Sequence, residues 1–515
     1  MKNIEHRNHS CVAAARARAR RAGSPRRGRR AAARFAAIAA CVAGALAIAA
    51  PTAGASGGPA PYPASAVTLV GHGWGPAWGL GQWGAFGYAA RYDRTSQWLL
   101  THYYPGTTPA VLSQSADRRI VRVAVEENAG HPMVVTSASA FHVTSGTTTL
   151  AVPAGEAVRA VLSVAGASKG TWALSEAGSC GAKRWTPLAK GLTDPTAVPA
   201  SSSPSAPASQ LLQLCRADGS IVTYRGDLEA YDYDSSGTGG APLARTLSLV
   251  PLEEYVADVT PTESPAGWGS LPSGSAGPQG EAYGFQELEA QAVAVRTYVL
   301  AEIASGGWYG YADICDDVCQ GYFNGAGYEN PLTTLAAEDT AGQVLLLDGS
   351  PAPTQYAASS GGYTGGSPAF KPVPDSGDAV CLKDAGGLGC NPWHTWTASV
   401  PVSQVEKAFP SVGTLADVKV VSRNKLGAFG GRVLEIEMVG TSGATVTVTG
   451  NTWVADFGLD SNWFAITNGP SATASPPPST AGGSGRRPGI AAGPGRLPPV
   501  PPVGSFAVRV AGERR

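Results

Sequence analysis

The strongest periodicity in the chain lies in GFQELEAQAVAVRTYVLAEIAS (284–305), where Phe285, Leu288, Ala292, Val295, Val299 and Ile303 recur at three–four spacing. That spacing predicts a helix with one buried face. PLEEYVADV (251–259) predicts a second helix: it opens on proline, carries acidic residues in its first turn, and has apolar Tyr255, Val256 and Val259. RYDRTSQWLLTHYYPGTT predicts a short helix and a turn at Pro105 and Gly106. Between about 118 and 250, RIVRVAVE, AFHVTSG, TTTLAVPAG and VRAVLSVAG alternate or run apolar between glycine-rich turns, the pattern of strands. TAGQVLLLDGSPAPTQYAASSGG and DVKVVSRNKLGAFGGRVLEIEMVG return to strand patterns. The expected class is α+β: a strand-rich mixed fold with a few helices flanking a cleft and a β-rich inserted region.

Composition marks the boundaries. An arginine-rich stretch ending at Arg34 precedes the apolar run FAAIAACVAGALAIAA, and AGA (53–55) offers small residues for cleavage. This is the layout of an export signal over 1–55, with an uncleaved anchor as the alternative. The signal also explains the formal net charge of zero. Residues 1–55 hold 11 of the 38 basic residues and 1 of the 38 acidic ones, leaving about −10 for the rest. An acidic body argues against nucleic acid or an anionic membrane surface as partner, so the membrane matters only during export. Residues 56–117 form a Gly/Trp-rich segment, 118–250 the β-rich region, 251–470 a domain with the clearest helices, and 471–515 a Pro/Gly/Arg tail too poor in apolar residues for a core. PTAVPASSSPSAPAS (195–209) reads as a flexible loop.

Six cysteines lie beyond the signal: Cys180, Cys215, Cys315, Cys319, Cys381 and Cys390. In an exported chain an even number suggests disulfides, and local closure favours 180–215, 315–319 and 381–390. A zinc reading of ICDDVC would need two further ligands. No motif implies a metal or a cofactor. GASKG (166–170) fits a serine-elbow pattern without a helix-forming run behind it, and SRNK (422–425) fits S-x-x-K without its companion motifs.

One stretch carries chemistry. In TPTESPAGW (260–268), Glu263 stands between the two predicted helices, among prolines and glycine that mark a loop. Pro265 and Trp268 supply apolar surface, and desolvation by it raises a carboxyl pKa and suits a general acid. A second unusual stretch, GHGWGPAWGLGQWGAFGYAA (71–90), clusters His72, Trp74, Trp78, Gln82 and Trp83 among glycines with no charge. Tryptophan faces stack on apolar C–H surfaces of sugars, while close backbone and amides meet hydroxyls.

PLEEYVADVTPTESPAGW, ELEAQAVAVRTYVLA, CDDVCQGYFNG, YAASSGGYT and NPWHTWTASV occur in this order. The series resembles the SpoIID/LytB-domain family of exported peptidoglycan-active proteins over roughly 250–466, and GHGWG…GQWGAFGYAA is similar to a second family signature. The resemblance implies a secreted or wall-located lytic transglycosylase that cleaves MurNAc–GlcNAc strands stripped of stem peptides. Its P-x-E-x-P glutamate falls on Glu263, with Ser264 where many members have methionine. Such an enzyme works with one carboxyl group, whereas ordinary glycosidases need two, roughly 5–9 Å apart; Glu287, Glu289 and Asp313 are the candidates for a second. The resemblance further implies contacts from Gln291, Arg296 and Thr297 on the polar side of the 284–305 helix, with capping and ion pairing such as Glu289–Arg296 as the alternative. It extends these contacts to Ser359, Ser360, Gly361, Gly362 and Thr364 in a strand-end loop, to His394 and Trp396, and to His72, Trp74, Gln82 and Trp83. Pro76, Ala77 and Leu80 depart from the usual GHGWGHG-x-GMGQWGA. Loss of the second histidine removes a proton-transfer group, so this stretch reads as a support to the site. The implied partners are glycan strands, with a cell-wall amidase as the partner under the alternative of a non-catalytic activator.

Overall fold

The computed structural model describes residues 58–113, 119–164, 170–233, 243–317, 319, 322–382 and 389–473. The predicted export signal, the tail beyond 473 and GASKG up to residue 169 lie outside them. The described tail residues are tied to the body, for the Thr473 N–H donates to the Ile466 carbonyl.

Seven α-helices occur among the described residues: α1 (Gln82–Tyr92), α2 (Ser96–Tyr103), α3 (Leu252–Glu263), α4 (Phe285–Ser305), α5 (Pro331–Asp339), α6 (Val402–Ala408) and α7 (Gly450–Phe457). The β-rich region folds into two largely antiparallel sheets. In one, six strands run in the order 186–192, 171–177, 157–163, 133–136, 212–215 and 221–224. In the other, seven strands run 314–315, 120–124, 243–251, 227–233, 196–198, 141–145 and 148–152. Val135, Trp172 and Leu214 of the first sheet and Val143, Leu228 and Leu247 of the second enter one hydrophobic core with Leu99, Val256, Val293 and Val299 of the helices. The class is α+β and strand-rich, as the periodicity indicates. The stretch read as a loop from 195 contributes a strand, Thr196–Val198, whose Ala197 is fully buried.

A second core gathers Val67 and Leu69 with Val400, Leu415, Ile436, Trp453 and Phe464. Its link to the N-terminus is the strand Ala66–His72, which lies antiparallel between Thr395–Pro401 and Phe464–Ile466. Thus the chain enters in the second core, and ten residues later α1 is packed among the helices of the first. The glycine–tryptophan stretch is the crossing between the two.

Two corrections concern helices. The glycine–tryptophan stretch 71–90 carries no helical pattern, yet residues 82–92 form α1, with every residue from Gln82 to Ala90 buried. Burial overrides the poor helix propensity of glycine. At Gly84 a Cβ would lie 2.2 Å from the Asp375 carboxylate, so no larger residue fits without displacement. Likewise α3 continues past 259, through Pro261, to Glu263. Proline in the last turn removes one backbone donor, and the Ser264 N–H still reaches the Thr260 carbonyl at 2.9 Å. Ser264 then turns extended, as a residue before proline prefers.

The α4 helix has no solvent-facing side over residues 285–300. Its Arg296 is fully buried and engages Glu253 of α3 through Nε at 2.7 Å, as well as the carbonyls of Ala337 and Gln343. The pair joins α4 to α3, with Glu253, not Glu289, as the partner. Removing the guanidinium strands Glu253 in a partly buried site, so Arg296→Ala is expected to cost on the order of 3 kcal/mol. A lowered thermal midpoint by circular dichroism is the expected result, and an unchanged midpoint would contradict it.

Candidate active site

The proline that keeps α3 short places Glu263 at its C-terminal end, half-buried, with both carboxylate oxygens occupied. Oε1 accepts from the Tyr322 backbone N–H at 3.1 Å, and Oε2 accepts from Gln82 Nε2 at 3.0 Å. The Thr262 hydroxyl lies 2.6 Å from the Tyr322 carbonyl, so consecutive residues of α3 grip the same peptide segment. Burial raises the Glu263 carboxyl above its ordinary range, and the two N–H donors pull it back. Desolvation and then the Glu263 charge raise the hydroxyls of Tyr255, Tyr322 and Tyr356, that of Tyr322 to about 12. Pro265 leads into a short 3-10 turn, Ala266–Ser270, whose buried Trp268 stacks on Phe86 at 4.5 Å and meets Trp83 at 5.0 Å.

Glu263 and Gln82 are 181 residues apart, and α1 brings them together. The register is set by a two-residue ladder in which Leu80 and Gly81 pair with Tyr356 and Ala357. The Trp83 N–H then donates to the Ala358 carbonyl. Here the helical start of α1 aims the amide of Gln82 at the carboxylate.

The candidates for a second carboxylate lie elsewhere. Glu287 is fully buried; its Oε1 accepts from Ser264 Oγ at 2.7 Å, and burial lifts its pKa to about 8. Glu289 is closed to solvent and accepts from Gln279 at 2.9 Å, with its pKa up to about 6. Asp313 accepts from the Arg122 backbone N–H at the edge of the seven-stranded sheet.

Other residues implied to meet ligand divide into two groups. Gln291, Arg296, Thr297 and Trp396 are internal. Gln291 is fully buried, as is Thr297, whose hydroxyl bonds the Val293 carbonyl and accepts from Leu345 N–H. The Trp396 ring packs in the second core, against Gly71. Thr364 is also buried and accepts from the Val373 N–H. Over residues 285–300 α4 is covered on all sides, and the strand Thr395–Pro401 alternates, with Trp396 on its buried face.

The second group converges on Asp378, which the sequence reading did not single out. Its fully buried carboxylate accepts from Ser359 Oγ at 2.8 Å, Ser360 N–H at 2.9 Å, Gly361 N–H at 3.1 Å and His394 Nδ1 at 2.7 Å. Asn391 ties this loop by donating to Ser359 Oγ and the Asp378 carbonyl. Gly362 N–H bonds Ser360 Oγ, and buried Arg432 donates to the Ser360 carbonyl at 3.1 Å. Gly73, at φ 74°, brings the glycine–tryptophan crossing onto the loop, where a Cβ would meet the Ser360 backbone at 2.8 Å. His72 lies 5.7 Å from the His394 ring, and Trp74 lies 4.3 Å from Trp393. Tyr322, Asp378, Trp393 and Arg432 are the residues missed. Tyr322 stands in the CQGYFNG motif, while Asp378 and Arg432 have no local signal.

All three disulfides join the cysteines that are nearest in sequence: Cys180–Cys215, Cys315–Cys319 and Cys381–Cys390. The second closes the turn just before Tyr322. Disulfides suit an extracellular protein. Among the described residues no helix is long and apolar enough to cross a membrane.

Residues 244–347 match the family model SpoIID, described as stage II sporulation protein. The match spans the last long strand of the seven-stranded sheet, α3 with Glu263, α4 and the Cys315–Cys319 bridge. The chain thus carries a SpoIID domain, and the match supports its assignment to the SpoIID family, a cell-wall-related sporulation family associated with peptidoglycan. No curated protein and no solved structure matches the chain.

The burial of Glu287 has a pH consequence, which the Ser264 hydrogen bond only partly offsets. Unfolded, Glu287 ionises near 4.5; folded, near 8. Between these values the folded chain holds the extra proton, so stability falls as pH rises through the window. Glu287→Gln keeps an acceptor for Ser264 and cannot ionise. Thermal melts over roughly pH 5 to 8 should show a smaller loss of stability in the variant than in the parent. Parallel curves would contradict the assignment.

Proposed function

We propose that the protein is a secreted peptidoglycan lytic transglycosylase that cuts glycan strands at the MurNAc–GlcNAc bond, with Glu263 as both acid and base. The observation that carries this reading is the setting of Glu263: a desolvated carboxyl with two N–H donors and partial access to solvent. Desolvation favours the protonated acid needed to donate to the leaving oxygen. Once the proton has gone, the N–H groups of Tyr322 and Gln82 stabilise the carboxylate left behind. That carboxylate takes the proton of the C6 hydroxyl as O6 bonds to C1. The chain is cleaved with a 1,6-anhydro ring at one end, and no water is consumed. Glu287, buried and bonded to Ser264, has no path to the opposite face of a sugar, which favours this route over a two-carboxylate hydrolysis.

Denuded glycan strands incubated with the protein should yield products ending in 1,6-anhydro-MurNAc by mass spectrometry, and Glu263→Gln should yield none. Reducing ends would mean hydrolysis through a second carboxylate. Intact strands that are bound but never cut would replace the enzyme with a glycan-binding activator of a wall amidase.

A further inference from the structure

The α1 helix is packed on three sides. Ala85 and Ala89 enter the first core, and Trp83 and Phe86 pack with Trp268. The third side is bare backbone at Gly81, Gly84 and Gly87, and there Asp375 and Gly377 lie against it. A Cβ at Gly81 would stand 2.7 Å from Asp375 Oδ2, one at Gly84 would strike both carboxyl oxygens, and one at Gly87 would strike the Gly377 carbonyl. Gln82, whose amide meets Glu263, stands between the first two glycines.

Asp375 is itself held from elsewhere. It is fully buried, and its Oδ1 accepts from the Tyr103 hydroxyl of α2 at 2.9 Å. Its backbone N–H donates to the Gly362 carbonyl at 2.9 Å, and the next N–H, of Ser376, donates to the Tyr88 hydroxyl of α1 at 3.0 Å. Burial, and then the neighbouring Asp378, push the carboxyl up towards its neutral form, so a side chain amide is its closest replacement. The first turn of α1 has little local hold of its own. Gly81 offers no side-chain cap, and the ladder of Leu80 and Gly81 is two residues long. That ladder fixes where the helix starts, while the direction of its first turn follows from what packs against it.

We propose that Asp375 is a positioning residue for the reaction at Glu263: held by Tyr103 and wedged against Gly81 and Gly84, it sets the first turn of α1 and with it the Gln82 amide that donates to the Glu263 carboxylate. The proposal rests on the reading of Glu263 given above. Being closed to solvent, Asp375 acts through Gln82 and not on the sugar.

The test compares Asp375→Ala, Asp375→Asn and Gly84→Ala with Gln82→Ala, all in the full chain. Proton–nitrogen NMR reads the Gln82 side-chain amide, and the pH profile of kcat/KM on denuded glycan reads Glu263. Asp375→Ala should move the Gln82 amide signals and carry the alkaline limb upward by about one pH unit, as expected for loss of one hydrogen bond to a charged group. The loss should fall on kcat, with KM within about twofold of the parent. Asp375→Asn, which keeps the shape and an acceptor for Tyr103, should stay near the parent in both readouts. Added to Gln82→Ala, Asp375→Ala should move the limb no further, because both changes act through one contact. Where Asp375→Ala does not fold, Gly84→Ala disturbs the same contact from the α1 side and should move the same signals. A lowered thermal midpoint with unmoved amide signals and an unmoved limb overturns the proposal, and so does an additive shift in the double variant. Moved amide signals in a protein that cuts no strand at any pH overturn the reading of Glu263, and the reaction role of Asp375 with it, a failure distinct from an unmoved amide.

Discussion

A carboxyl group is taken out of water at Glu263 and met by N–H donors on both oxygens, and the layout of the chain follows from that constraint. Neither donor is local. Tyr322 arrives 59 residues later on the segment that follows the Cys315–Cys319 bridge, and Gln82 comes from the far N-terminal side. Burying a carboxyl without such partners would cost several kcal/mol. The SpoIID segment alone, residues 244–347, supplies the glutamate and Tyr322 but lacks Gln82. The site is complete only when the N-terminal crossing is docked.

That crossing explains the composition of residues 71–90. The chain leaves a strand of one core and becomes α1 in the other within ten residues, passing under the Ser359–Gly362 loop on the way. Close approach at Gly73 and Gly84 leaves no space for a side chain, while Trp83 and Phe86, next to Gln82 on α1, pack with Trp268 in a buried aromatic cluster. The imidazoles at the Asp378 cluster are His72 and His394, whose rings lie 5.7 Å apart.

How much of this could be read in the sequence depends on the range of each contact. The buried apolar stripe of α4, the strand alternation of the β-rich region and the proline–acid start of α3 are local patterns, and they were legible. Glu263 was legible through its flanking motif. Spacing puts Arg296 and Thr297 on a polar helix side because it cannot reveal that a helix is covered on every face. The α1 helix was hidden by glycines whose cost is offset by burial. Asp378 was hidden for another reason: it lies in an unpatterned SGDAV stretch, and its partners are 16 to 19 residues away in the chain. Buried polar hubs of this kind are set by tertiary closure, which leaves no periodic trace.

The dependence of Glu263 on its distant donor is best tested by the pH profile of kcat/KM on denuded glycan, for the parent and Gln82→Ala. The Gln82 amide stabilises the carboxylate, so its loss should move the Glu263 pKa further up. Activity that needs the protonated acid declines as pH rises through that pKa, and the alkaline limb should therefore shift to higher pH in the variant. A limb that stays in place, whatever happens to the maximal rate, would contradict the account.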